Sequence, residues 1–286
     1  MKRLRIYLLL SGLVTLGCTA YIDPPRQSLR TSEMETEISL RYPLQVLSRI
    51  SSLAVDRAGN AGYTESAGWI LASAGWDGSE IFRINLSHPR DALMPGGADG
   101  YWLLNDLDRR IKHYDSKGQN ISQVSFSGIS ASTGAVTLIG EIYLLDGVNS
   151  QVKVIGPDGY ELRSFHIEGP DGLVFRPTAI ALDPSRNLLA LSDPRAGKVM
   201  FYNLYGTKHG SLSVAAGNHP QSIGFDYLGR LWICLPEQNA VAVYSSQEAG
   251  WAERKRIALQ KPYAVVLSPF GSGVVAEEGN LVFLKF

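Results

Sequence analysis

Three positions along the chain carry an oxygen-bearing side chain at the end of an apolar run and just before a turn: Asn105 in "LLNDLDRR", Asp146 in "LLDGVNSQ" and Asp193 in "LSDPRAGK". Carboxylates and amides could ligate a hard cation, which needs several oxygen donors. A turn-initiating Asp or Asn more often accepts hydrogen bonds from the N–H groups of its own turn, and that is the role expected here. Asp91 and Asn218 are further oxygen-bearing side chains, and no glutamate joins them. The histidines His88, His113, His166, His209 and His219 are scattered, without H-E-x-x-H or a close pair, so no zinc site is expected. No G-x-S-x-G elbow occurs, and "GISAS" at Gly128 lacks the second glycine. Motifs therefore predict no catalytic residue, no metal and no cofactor.

Sulfur chemistry divides between two cysteines. Lys2, Arg3 and Arg5 precede the apolar run "IYLLLSGLVTLG", which ends at Cys18. A span needs about 20 apolar residues, so this run reads as a secretion signal over 1–17. The Gly17-Cys18 junction resembles the lipobox of bacterial lipoproteins, although Thr15 stands where that box usually has leucine. The resemblance implies cleavage before Cys18, attachment of acyl chains such as palmitate to it, and a membrane held through lipid. Thr19 in place of aspartate implies the outer membrane, with a periplasmic or surface face. Residues 18–36, polar and containing Pro24-Pro25, read as a tether. Cys234, in "RLWICLP", is then alone, cannot form an internal disulfide and reads as a buried thiol.

Basic and acidic residues balance at 27 each, which gives no field to attract nucleic acid.

The elements that must position these groups follow from a repeat. Pro177, Pro220 and Pro262 stand 43 and 42 residues apart. Each is followed by an apolar segment ("TAIALD", "QSIGFD", "YAVVLS"), a turn, a second run ("LLALSD", "LWICLP", "GVVAEE"), another turn and a third run ("KVMFYN", "AVAVYS", "NLVFLK"). Short runs rich in Val, Ile, Leu and aromatics between Gly, Pro, Asn and Asp are strands. The same frame extends back to first strands near Arg49, Asp91 and Ile129, making six units. Trp102, Tyr143 and Trp232 share one strand position and are expected to wedge between neighbouring sheets. "SSLAVDRAGN", "TAIALDPSRN" and "QSIGFDYLGR" resemble the NHL-type repeats of six-bladed propellers. The expected fold is all-β, a six-bladed β-propeller of four-stranded blades over 37–286. The last unit ends after its third strand, so "EISLRYPL", Glu37 to Leu44, is expected to close the ring there.

The functional expectation is a lipid-anchored, non-catalytic scaffold of the bacterial envelope that binds a protein or a glycan. Loops on a rigid ring offer a broad docking face. On the end that carries the inter-blade connections, Arg109, Arg110, Arg195, Lys198 and Arg176 are the candidate partner-binding residues. The enzymatic alternative is a metal-dependent lactonase, because lactonases of the gluconolactonase type resemble this chain in architecture and hold a divalent ion at the axis.

Overall fold

The computed structural model describes residues 39–45 as backbone and residues 50–65, 69–86, 91–97, 99–169, 175–214, 218–248, 250–278 and 280–286 in full. Among the described residues the strands form six four-stranded antiparallel sheets. The first strand of each sheet, Ile50–Val55, Ala92–Met94, Thr133–Val136, Ala179–Asp183, Ile223–Phe225 and Ala264–Leu267, is innermost, and each lies against the next around a central axis. This is the expected six-bladed propeller.

Strand burial follows from position in the blade. The second strands Tyr101–Asn105, Ile142–Asp146 and Leu231–Leu235 are buried along their whole length, because blades cover both of their faces. The fourth strands, such as Glu161–His166, alternate exposed and half-buried residues, because one face meets water. Hydrophobic side chains gather into six clusters, one between each pair of neighbouring blades. Leu53 and Val55 of the first blade meet Val274 and Phe283 of the last. The ring is therefore closed by packing as well as by pairing. Tyr143 and Trp232 are fully buried in two of these clusters and Trp102 lies in a third, as the wedge expectation requires. Cys234 is a buried free thiol beside Trp232, and burial pushes it well above the usual thiol range.

Innermost strands also meet edge to edge. The Leu93 amide donates to Ser52 Oγ at 2.8 Å and the Val265 amide to Ser222 Oγ at 3.1 Å. At Gly96, φ is +96° and a Cβ would fall 1.9 Å from the Val136 carbonyl oxygen, so only glycine permits the bridge between the second and third blades.

The closing strand is Ser39–Gln45, antiparallel to Asn280–Lys285, with Ser39 opposite Lys285 and Gln45 opposite Asn280. It occupies the place the sequence assigns to Glu37–Leu44. The expected signal peptide, the tether and Cys18 lie outside the described residues. No described helix is long and apolar enough to cross a membrane.

Candidate functional site

Each blade sends its inter-blade connection and its second-to-third turn to the same end of the ring, here the upper end. Hydrogen bonds join the two within a blade. The Ser130 amide donates to Asp146 Oδ2 at 3.2 Å and the Arg176 amide to Asp193 Oδ2 at 2.7 Å. In the last blade the Gln260 amide donates to Glu277 Oε2 at 2.7 Å. The other carboxylate oxygen takes the turn. Asp146 Oδ1 accepts from Val148 and Asn149, and Asp193 Oδ1 accepts from Arg195 and Ala196. Asn105 plays the same part with the Asp108 amide, while its Nδ2 donates to Asp91 Oδ1 at 2.6 Å. These side chains are turn acceptors. Burial would raise the Asp146 carboxyl, but donors from Asn149, Ser130 and Val148 outweigh it and hold the group below the usual carboxylate range. Glu277 belongs to this set and was missed, because its side chain is one carbon longer and sits in a different turn. In the fifth blade, Leu235 takes the position, and Asn239 Oδ1 in the same turn accepts from the Lys261 amide of the connection into the sixth blade.

A hard-cation cage does not fit what is present. Both oxygens of Asp146 and of Asp193 are engaged by N–H donors, and Asp91 Oδ1 is taken by Asn105. Asn218 is buried, and its atom without a partner among the described residues is the amide nitrogen, a donor that suits an oxygen acceptor and repels a cation. Among the described residues no three His, Cys, Asp or Glu side chains come together to hold a metal.

Above the turn acceptors, the residue two places before a buried residue of each innermost strand (Leu53, Leu93, Gly134, Ile180, Ile223 and Val265) is polar in every blade: Ser51, Asp91, Ser132, Thr178, Gln221 and Tyr263. Ser51, Ser132, Thr178 and Gln221 are exposed, and the six surround the axial mouth. Sequence reading singled out only Asp91 of this ring. A signal was available, since Thr178, Gln221 and Tyr263 each follow the proline that defines the repeat.

One step before those prolines, three consecutive blades present Arg176, His219 and Lys261, all exposed. His219 Nδ1 lies 3.8 Å from Glu237 Oε1, which comes from the second-to-third turn of the same blade. Lys261 Nζ lies 2.9 Å from Glu278 Oε2. Arg176 stands beside Arg195, since Asp193 binds both backbone amides. Of the five candidate partner-binding residues, Arg110, Arg176, Arg195 and Lys198 show no ion pair among the described residues. Arg109 is spent internally: at φ +54° it pairs with Asp106 at 2.9 Å and donates to the Ile129 carbonyl. Tight turn geometry, invisible in residue spacing, gives it these partners within the molecule.

No family model matches the chain, and no curated protein does. Among solved structures, virginiamycin B lyase from Staphylococcus aureus is similar at a TM-score of 0.61 and 13% identity, over 87% of this chain and 100% of that one. A gluconolactonase from Xanthomonas campestris is similar at a TM-score of 0.62 and 15% identity, over 87% and 90%. A chain of the mitotic checkpoint complex is similar at a TM-score of 0.61 and 11% identity, over 87% and 91%. The likeness is of fold, and it supports the six-bladed ring rather than the NHL-type repeat in particular. It also corrects the expectation of a non-catalytic protein: a lyase and a gluconolactonase share this architecture, so the absence of a motif was no ground for excluding an enzyme.

Proposed function

We propose that the chain is a hydrolase that opens small lactones at the upper axial mouth, with His219 and Glu237 as its acid–base pair. The observation that carries this reading is the His219–Glu237 pairing, flanked on neighbouring blades by Arg176 and Lys261 and set beside the polar ring of Thr178 and Gln221. The gluconolactonase and lyase neighbours support it at the level of fold. Glu237 Oε1 lies 3.8 Å from Nδ1, beyond hydrogen-bond reach, so its part is electrostatic: it stabilises the imidazolium that forms when Nε2 accepts a proton. Water attacks the lactone carbonyl as Nε2 takes its proton. The oxyanion is stabilised by Arg176, which has no ion-pair partner among the described residues. Collapse breaks the acyl C–O bond, and the imidazolium returns the proton to the departing alkoxide, giving a hydroxy acid. Thr178 and Gln221 bind the hydroxyls of a polar substrate.

The test is turnover of a lactone panel, with and without added divalent ions, by the full chain and its variants. His219→Ala is expected to lower kcat/KM by about 10²–10⁴-fold. Arg176→Ala should cost about 10²-fold, and Glu237→Gln less than His219→Ala. Wild-type rates in His219→Ala, or no lactone opened by the intact chain, would overturn the reading.

The proposal also takes Cys18 as the lipid attachment point, on the Gly17-Cys18 junction and the apolar run before it. Cys18→Ala is expected to shift the protein into the soluble fraction or to leave the signal uncleaved, since stable anchoring takes two or more acyl chains. A processed Cys18→Ala protein still bound to membranes would refute the anchor.

A further inference from the structure

The two ends of the ring differ in what they show to water. Seven exposed large hydrophobic side chains lie on turns at the lower end, opposite the mouth. Leu138, Ile139, Tyr227, Leu228 and Phe270 are on first-to-second turns, and Tyr160 and Tyr205 on third-to-fourth turns. All seven fall in four consecutive blades, the third to the sixth. Ile139 is 77% exposed, Tyr160 75% and Tyr205 69%. The upper end has only Trp69, Leu107 and Val148 of this kind among the described residues, on three other turns.

The tips are rigid. Four of them sit two residues after a side chain that accepts from their own backbone amide. Tyr160 donates to Asp158, Tyr205 to Asn203, Leu228 to Asp226 and Phe270 to Ser268. Their apolar groups are therefore held outward with little left to lose in ordering. The Arg57 guanidinium lies 5.1 Å from the Phe270 ring centre, and Arg163 5.1 Å from that of Tyr205. Aromatic rings with arginines beside them suit a surface that is apolar below and anionic at its rim.

The chain itself joins the fold at this end. Ser39 pairs with Lys285, the lower end of Asn280–Lys285 in the sixth blade, so residues 1–38 lead into the ring at one edge of the apolar arc. That segment carries the apolar run and Cys18. We infer that the lower end of the ring rests on a lipid bilayer, with the turn tips of the third to sixth blades dipping into the headgroup layer and the axial mouth facing away. This orientation does not depend on the lactone reading.

The test uses the full chain reconstituted in vesicles of zwitterionic and anionic phospholipid, with an environment-sensitive fluorophore on one introduced cysteine. Ile139→Cys reports the lower end and Leu107→Cys the upper. Quenchers placed at known depths in the lipid should locate the probe at 139 about 5–10 Å inside the headgroup boundary, the depth of an interfacial apolar face. The probe at 107 should remain in water. In the background Tyr160→Ser, Leu228→Ser and Phe270→Ser, with melting unchanged, the probe at 139 should move out of the lipid. A probe at 139 that stays in water, equal depths at 139 and 107, or a signal at 139 that needs an added protein instead of lipid would each overturn the inference.

Discussion

At Asp193 one carboxylate fixes two arginines through their backbones, and removing it should cost more than any surface charge is worth. Asp193→Ala leaves the amides of Arg176 and Arg195 without their acceptor in a nearly buried place, a loss of about 1–3 kcal/mol in urea titration. Asp193→Asn keeps an acceptor oxygen and should lose less, and equal losses would assign the effect to charge instead. Buried tyrosines set a second residue-level behaviour. Burial pushes the Tyr202 and Tyr244 hydroxyls up to about 12, Glu168 adding to the first and Glu253 to the second. The folded state thus holds these protons more tightly than the unfolded chain, whose tyrosines titrate near about 10. Their contribution is complete below pH about 10 and is lost as pH rises through about 12. Melting temperature should fall across that window, and the tyrosinate absorbance lost in a Tyr202→Phe, Tyr244→Phe variant should appear only as the fold is lost; ionisation of these two in a folded sample would contradict it.

The strands test closure. Deleting 39–45 leaves the edge of Asn280–Lys285 unpaired, on the strand that carries Leu281 and Phe283 of the cluster between the last and first blades. A loss of roughly 4 kcal/mol, or about 10 °C in Tm, is expected, whereas deleting 19–34 should change little. Identical melting of the two truncations would remove the argument. The inner strands were legible because a proline closes each connection into the last three blades and an apolar run follows. The fourth strands were faint, since "GWAERKRIA" and "KHGSLS" put mostly exposed polar side chains on their strands and carry little hydrophobic period. The turn acceptors Asn105, Asp146 and Asp193 were legible from type and place. The His219–Glu237 pair was not, because only the hydrogen bonds between Ser222 and Cys234 and between Gln221 and Cys234 bring that connection beside that turn.

Across the whole molecule, six clusters between blades mean that no blade buries its faces alone, and stability belongs to the ring. The pairing of Ser39–Gln45 with Asn280–Lys285 also sets an order in time. A chain made from its N-terminus releases its first strand when the partner strand does not yet exist, so that strand must wait unpaired through nearly all of synthesis. The five other blades are local meanders that can form as they emerge. Final closure spans the longest loop the chain allows, and long-range pairing of this kind is slow. Lys285 and Ser39 lie at the same end of the sixth blade, so a permuted chain that joins Phe286 to Ser39 by a short turn would make that blade a local meander too. Such a permutant should refold faster than the natural chain while melting at a similar temperature. The wait itself keeps the whole ring unlocked until Asn280–Lys285 has been made, so the last blade acts as the clasp of the fold.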